Sequence, residues 1–331
     1  MKRYAWITVN IATVLALCVV LLGAWTRIND AGLSCPDWPG CYGHMIMPSQ
    51  ANELELAQQA FPQTPIELPK THLEMGHRYL AGILGFLIAG LALIAYQQKH
   101  NRAYPHSLSY LLLVLVTIQA AFGMWTVTLK LYPPVVTLHL LGGMFTLLLL
   151  IVLRKRIEQL NDGKVSDAGS YPRVVKVALV ALILQIAAGG WTSSNYAGPA
   201  CEHWLTCNPD SAIEPDFRTG FDPTVVIGPD YQGGYLPIEA RAAIQIGHRL
   251  GALAVLVVCI GLLVKLRKVK PVAGALVLLA TTLFAQLLLG VLNVVWAVPA
   301  LLAMLHHGFA VVLVLILLHI GFKISAVKEV S

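Results

Sequence analysis

Long runs of apolar residues, separated by polar segments, dominate the pattern along the chain. A run of about twenty apolar residues with few charges is long enough to cross the hydrocarbon core of a bilayer as a helix. The pattern predicts eight membrane-spanning helices, at residues 6–26, 74–96, 108–128, 135–153, 174–192, 240–264, 272–293 and 299–322. The first run lacks a small-residue cleavage site at its end, so we expect a retained helix rather than a signal peptide.

Composition agrees with this pattern. Of the 331 residues, 57% are hydrophobic and only 12% are charged, and the mean hydropathy is +0.69. These values exclude an ordinary soluble protein and indicate an integral membrane protein in contact with the lipid bilayer.

The basic residues predict the orientation. In an eight-helix chain they fall almost entirely on one side of the membrane. Because positively charged loops are preferentially cytoplasmic, we expect this side, which also carries both termini, to be the cytoplasmic one. The long loops 27–73 and 193–239 then lie on the periplasmic or extracellular side. The net charge of +6 is explained by this topology, so nucleic acid is not expected as a partner. The basic residues in question are Lys2, Arg3, Lys99, Arg102, Arg154, Lys155, Arg156, Lys164, Arg173, Lys265, Arg267, Lys268, Lys270, Lys323 and Lys328.

The chain contains an internal duplication. Eight residues recur at a constant shift along the chain: Trp25, Thr26, Asn29, Ala31, Gly32, Cys35, Trp38 and Cys41 return as Trp191, Thr192, Asn195, Ala197, Gly198, Cys201, Trp204 and Cys207. Further matches are Gly76-His77-Arg78 with Gly247-His248-Arg249, and His139 with His306. A repeat of this length indicates a duplicated structural unit. We therefore expect an all-α polytopic membrane protein with two tandem pseudo-symmetric four-helix bundles, at residues 1–156 and 174–331, joined by a cytoplasmic linker at 157–173.

Four histidines lie a few residues inside the outer ends of the second, fourth, sixth and eighth predicted spans: His77, His139, His248 and His306. An ionisable side chain inside a span is a functional candidate. Neutral imidazoles facing each other from two helices are suited to bis-axial ligation of a heme iron, and no carboxylate cluster accompanies them as a di-iron site requires. Each half is therefore predicted to hold one porphyrin.

The His306-His307 doublet makes the fourth ligand ambiguous. Adjacent residues on a helix point about 100 degrees apart, so only one of the two faces the bundle centre. The repeat favours His306.

Each long loop carries one cysteine pair, Cys35/Cys41 or Cys201/Cys207. On an oxidising outer face such pairs favour disulfides. A redox-active thiol pair and a metal site are the alternatives, although the spacing differs from that of zinc sites. The glycines and prolines around the first pair suggest that it is exposed enough to cycle between dithiol and disulfide.

Glu74 lies one turn before His77, and its counterpart in the second half is Gln245. This difference suggests that only the first half performs proton-coupled chemistry. The alternative is that Glu74 lies at a solvent-exposed helix end near Lys70, where its negative charge interacts favourably with the N-terminal end of the helix dipole.

Two further features have more than one interpretation. Arg78 and Arg249 follow their histidines at the outer boundary, where they pair with heme propionates or extend to lipid headgroups. A Gln-x3-Gly pattern that recurs in three spans is interpreted as a helix-packing element, with an amide available for interhelical hydrogen bonds. The three copies are Gln119/Gly123, Gln185/Gly189 and Gln286/Gly290.

These motifs together resemble the heme A synthase family across nearly the whole chain. The matching segments are Thr26-Arg27, Asp30-Ala31-Gly32-Leu33, Cys35-Pro36-Asp37-Trp38-Pro39-Gly40-Cys41, Glu74-x2-His77-Arg78, the histidine that opens the fourth span, Gly247-His248-Arg249 and Leu305-His306-His307.

The resemblance implies an oxidoreductase that converts the C8 methyl group of heme O to the formyl group of heme A by successive hydroxylations, for cytochrome oxidase biogenesis. It implies that His77 and His139 bind the substrate heme and that Glu74 assists proton transfer. It further implies that His248 and His306 hold a heme b cofactor.

Localisation and partners are expected to follow this assignment. The lack of an Arg- and Ser-rich leader favours the bacterial plasma (inner) membrane. Heme O synthase, a membrane electron acceptor and a second copy of the chain, in a homo-oligomer, are the candidate partners. The main alternative function is a quinol-linked di-heme b-type electron carrier, which needs the four histidines but has no use for the Glu74/Gln245 difference. A heme transporter is a third alternative.

Overall fold

The computed structural model describes residues 2–163, 171–207, 213–225 and 230–328. Residues 164–170 of the predicted linker, which include Lys164, lie outside the described residues, as do the side chains of Lys2 and Lys328.

Within these ranges the fold is built from α-helices. Their bounds are α1 Lys2–Ile28, α2 Ala51–Ala60, α3 Leu68–Gln97, α4 His106–Thr128, α5 Pro133–Asn161, α6 Arg173–Ser194, α7 Phe217–Gly220, α8 Ile238–Leu266, α9 Ala273–Val295 and α10 Ala300–Lys328. All except α2 and α7 are long and apolar enough to cross a membrane. The eight predicted spans are therefore confirmed, whereas α2 and α7, inside the two long loops, were not predicted.

Prolines define the beginnings of several spanning helices. Pro69 and Pro133 lie in the first turns of α3 and α5, and Pro237 directly precedes α8. Proline is favoured at these positions because its missing N–H would have no helical partner there. Since α3 begins at Leu68 rather than at the predicted residue 74, His77 lies more than two turns inside the helix, about 14 Å along its axis.

The chain divides into two compact units, residues 1–165 and 166–331. In unit one, α1 packs against α3 and α5, and α4 packs against the same two helices. In unit two, α6 packs against α8 and α10, and α9 packs against those two. Each unit is thus a ring of four helices in which α3 and α5, or α8 and α10, occupy opposite corners.

Tight turns join the last two helices of each unit. Lys130 and Leu131 after α4, and Ala297 and Val298 after α9, all have left-handed backbone conformations. Non-glycine residues seldom adopt this conformation, and here it reverses the chain within a few residues. The same kind of turn therefore leads into α5 and into α10.

The long loops fold against the N-terminal parts of α3 and α8. In the first loop, Cys35, Cys41, Tyr42 and Ala57 form a buried cluster with Met75 of α3. In the second, both cysteines pack against Ala242 of α8. The loops are therefore part of each unit's packed structure, close to the positions of the predicted site residues.

Candidate functional site

The predicted ligand histidines of unit one lie on helices at opposite corners of its ring. His77 is on α3 and His139 is on α5, and both helices contact α1 and α4. The Nδ1 atoms of both rings are buried and have no hydrogen-bond partner among the described residues. Buried polar atoms are nearly always satisfied, so an unpartnered imidazole nitrogen is a candidate ligand atom.

Unit two brings its two histidines close together. The ring centroids of His248 on α8 and His306 on α10 are 6.4 Å apart, with an interplanar angle of 70°. If both rings bind one metal ion, two metal–nitrogen bonds of about 2 Å each, plus the distance from each nitrogen to its ring centroid, add up to a separation of this size. This pairing supports His306 rather than His307 as the partner of His248.

A glycine on a neighbouring helix lies against each of the four rings. A Cβ atom at Gly23 would lie 2.8 Å from Cε1 of His77, and one at Gly123 would lie 3.4 Å from Cε1 of His139. The corresponding distances in unit two are 3.3 Å from Gly189 to His248 and 3.2 Å from Gly290 to His306. The Gln-x3-Gly pattern therefore does more than pack helices, because its glycines make room for the imidazoles.

These histidine pairs fit the heme b and heme O that the resemblance implies. In the part of the chain that the structure describes, no three His, Cys, Asp or Glu side chains gather into a metal-ligand group. Two imidazoles on opposite helices, with unpartnered Nδ1 atoms on His77, His139 and His306, are suited instead to an iron whose other ligands come from a porphyrin. The alternative of a metal held by the cysteine pairs receives no support from the described residues.

Glu74 is buried under the first long loop, with 4% of its surface exposed. Its Oε2 accepts hydrogen bonds from Ser34 Oγ at 2.8 Å and from the Cys35 amide at 2.9 Å. Its Oε1 forms a 2.6 Å ion pair with Nη2 of Arg78. The interpretation of Glu74 as a residue at a wet helix end near Lys70 is wrong, because Lys70 pairs with Glu67 instead.

Arg78 connects α3 to the first long loop. Besides its pair with Glu74, its Nη1 donates to the backbone carbonyls of Asp37 and Pro39, at 2.9 and 3.3 Å, and to that of Gly40. The side chain therefore points toward the loop, and Glu74 already neutralises its charge.

The equivalent cluster in unit two lacks the carboxylate. Gln245, with 5% of its surface exposed, donates to the Gly198 carbonyl at 3.1 Å, and its Oε1 has no partner among the described residues. Arg249 donates to the His203 carbonyl at 3.0 Å, while its buried Nη2 likewise has none. The arginine of unit two therefore keeps a free donor that the arginine of unit one uses for Glu74.

Both cysteine pairs are disulfides in the structure, as predicted: Cys35–Cys41 and Cys201–Cys207. The expectation that the first pair is exposed enough to cycle is wrong, because both of its cysteines are 0% exposed within the loop cluster. Tyr42 fixes the same loop by hydrogen-bonding the carbonyls of Thr64 and Pro65. Burial, with the nearby Glu74 carboxylate, raises the pKa of the Tyr42 phenol to about 12, so it remains a neutral donor at physiological pH.

Sequence reasoning missed Ser34, which donates directly to Glu74. Its counterpart in the repeat is Ala200, so the change from carboxylate to amide is accompanied by the loss of this hydroxyl. Comparing the two halves position by position would have found it.

Eight spanning helices in two four-helix units, each with a histidine pair on opposite helices, define a polytopic membrane protein suited to holding a group between imidazoles. The chain belongs to the COX15-CtaA family, described as cytochrome oxidase assembly protein, because the family model matches residues 4–318. It is similar to the heme A synthase of Shewanella oneidensis, with 40% identity over 299 residues that cover 90% of this chain and 89% of that protein. The heme A synthase of Caulobacter vibrioides is 27% identical over 323 residues, covering 89% and 88%. That of Lysinibacillus sphaericus is 28% identical over 163 residues, covering 48% of each chain.

Proposed function

We propose that the protein is a heme A synthase that oxidises the C8 methyl group of heme O to the formyl group of heme A by successive hydroxylations. Membership of the family and the similarity to proteins named heme A synthase support this reaction. The observation that carries the proposal is the buried Glu74 carboxylate beside His77 in unit one, where unit two has the neutral Gln245. One unit is thus equipped to move a proton and the other is not.

In unit one, His77 on α3 and His139 on α5 would bind the iron of the substrate heme from opposite helices. Glu74 lies three residues before His77 on α3, about 4.5 Å along the helix axis. This proximity supports a role for Glu74 at the reacting edge of the macrocycle. The farnesyl tail of heme O is apolar, and a site between membrane-spanning helices lets it extend into lipid.

The hydrogen bonds around Glu74 suit a base that accepts one proton. A carboxylate has about four lone-pair positions, and Ser34, Cys35 and Arg78 occupy three of them. One position remains for the proton or water of the reacting group. The same three contacts hold the carboxylate in place, which general base catalysis requires.

In unit two, His248 and His306 are the ligands of a resident heme b. When bound, that heme supplies a one-electron redox centre. Arg249, with its unpartnered donor, is the residue of this unit best suited to a propionate. Arg78 is less suited to that role in unit one because its charge is already paired with Glu74.

The predicted topology and partners belong to the same proposal. We propose that the protein lies in a bacterial inner membrane with both termini cytoplasmic, which puts the two disulfide loops on the oxidising side. The electrons removed when the methyl group is oxidised pass to a membrane electron acceptor. Heme O synthase, which makes the substrate, is the proposed supplier.

Product analysis tests this proposal. The chain is expressed in a host that makes heme O but no heme A, and the hemes are extracted and identified by chromatography with mass detection. Heme A or its hydroxymethyl intermediate is the expected result. A folded, heme-loaded protein that leaves heme O unchanged would contradict the proposal and favour the di-heme electron carrier.

A further inference from the structure

A pair of exposed apolar residues follows a histidine in each disulfide loop. The first loop has the segment His44-Met45-Ile46, and the second has His203-Trp204-Leu205. Ile46 is 80% exposed and Leu205 is 72% exposed, so most of either side chain is left uncovered by the described residues. The two segments are not equivalent positions of the sequence repeat, so the two loops reach the same arrangement from different residues.

A short backbone bridge attaches each of these segments to a disulfide. His44 and Cys41 exchange backbone hydrogen bonds of 2.8 and 3.1 Å, and the His203 amide donates to the Cys207 carbonyl at 2.8 Å. Cys41 and Cys207 each belong to a disulfide. The apolar pairs therefore follow a cross-linked and hydrogen-bonded part of the backbone.

A second attachment, to a membrane-spanning helix, determines the depth of each pair. Tyr79 of α3 donates to the Met45 carbonyl at 2.9 Å, and Arg249 of α8 donates to the His203 carbonyl at 3.0 Å. Tyr79 directly follows the charged Arg78, and Arg249 is the last charged residue before the stretch 250–264. Each loop is thus bound to its helix at the point where the charged part of the helix ends and the uncharged part begins.

On α3 this point matches the edge of the bilayer hydrocarbon. Residues 79–97 carry no charge and extend about 28 Å as a helix, close to the ~30 Å thickness of a bilayer core. Exposed tyrosines, Tyr79 and Tyr96, lie near the two ends of this stretch, as is typical of membrane interfaces. The Met45 carbonyl therefore lies at the hydrocarbon boundary, where exposed apolar side chains next to it meet lipid.

We propose that Met45-Ile46 and Trp204-Leu205 insert into the lipid bilayer beside α3 and α8 and anchor the two disulfide loops there. Removal of their apolar surface from water drives the insertion. In unit one the anchor also acts on Glu74, because the same loop donates to this carboxylate from Ser34 and Cys35. The inference concerns the contact between loop and lipid, so it does not depend on the proposed reaction.

Photocrosslinking tests this contact. The photoreactive amino acid p-benzoylphenylalanine replaces Ile46 or Leu205 in the full-length protein, which is reconstituted alone in phosphatidylcholine liposomes and illuminated. Mass spectrometry of the intact protein then detects covalent lipid adducts. We expect adducts at both positions, as abundant as at Phe86, an exposed residue within the uncharged stretch of α3.

Leu68 is the matched control position. It is an exposed leucine at the first position of α3, about 16 Å from Tyr79 along the helix axis and on the far side from the uncharged stretch. We expect no lipid adduct there. Adducts that are missing at positions 46 and 205, or crosslinks to a second copy of the chain in place of lipid, would overturn the anchor.

Hydrogen exchange in the same liposomes measures what the anchor does for the first loop. Met45→Ser combined with Ile46→Ser removes the apolar surface, and we expect exchange of residues 41–47 to become at least about tenfold faster. Leu68→Ser should leave this exchange unchanged. Equal exchange rates in the two variants would contradict the anchor. Neither measurement needs heme or turnover, so a failure here is distinct from a failure of the product analysis.

Discussion

Glu74 and Arg78 lie one turn apart on α3 and form a 2.6 Å ion pair beneath the first disulfide loop. Because Glu74 also accepts from Ser34 and Cys35, and Arg78 donates to loop carbonyls, the pair joins the predicted catalytic carboxylate to the loop. The state of the loop and the position of the carboxylate are thus coupled.

Removing the arginine should therefore loosen the loop and destabilise unit one. Arg78→Ala leaves a buried carboxylate without its cation, a change that typically costs about 3–5 kcal/mol. Arg249→Ala, which removes a hydrogen bond but no ion pair, should cost about 1–3 kcal/mol. Unfolding in denaturant measures both, and hydrogen exchange should show faster opening of residues 31–45 in Arg78→Ala only. Equal costs for the two variants would contradict the coupling.

Gly23→Ala should weaken heme binding in unit one, because the added Cβ would lie 2.8 Å from Cε1 of His77. Gly76→Ala is the control, since a Cβ at that position, next to His77 in sequence, meets nothing within 4 Å. Heme titration of a protein with unit two inactivated by His248→Ala measures the affinity. We expect weaker binding for Gly23→Ala and an unchanged affinity for Gly76→Ala. Weaker heme binding in Gly76→Ala than in Gly23→Ala would show that the His77 ring does not pack against α1.

Much of the fold was predictable because membrane-spanning helices depend on local runs of apolar residues. The eight spans and the two disulfide pairs followed from runs and spacings, and the repeat pointed to His306. The burial of Glu74 was not predictable in this way, since it depends on a loop forty residues earlier in the chain folding back over α3. Gln185 contacts the His248 ring and Gln286 contacts the His306 ring, and predicting these contacts equally requires knowledge of which helices are neighbours. The helix α2 is too short and polar to stand out in the sequence.

Tyr42 gives the first loop a dependence on alkaline pH. Its pKa is raised from 10.0 to about 12, so its hydrogen bonds to Thr64 and Pro65 contribute fully below pH 10 and are lost as the pH rises through about 12. Tyr42→Phe should remove this dependence. Stability of the loop, followed by hydrogen exchange or proteolysis between pH 9 and pH 12, should fall less steeply with pH in the variant than in the wild type. Parallel curves would show that Tyr42 does not stabilise the loop.

We propose that Glu74 moves the proton in unit one, and the variant that tests this role is Glu74→Gln, which copies the residue of unit two. The variant and the wild type are compared in a host that makes heme O but no heme A, with Gln245→Glu as a control in the other unit. General acid–base catalysis contributes about 10²- to 10⁴-fold, so we expect at least a 100-fold loss of heme A formation in Glu74→Gln, with heme O and heme b still bound. Gln245→Glu should keep its activity. Full heme A production by Glu74→Gln would contradict the role given to this carboxylate.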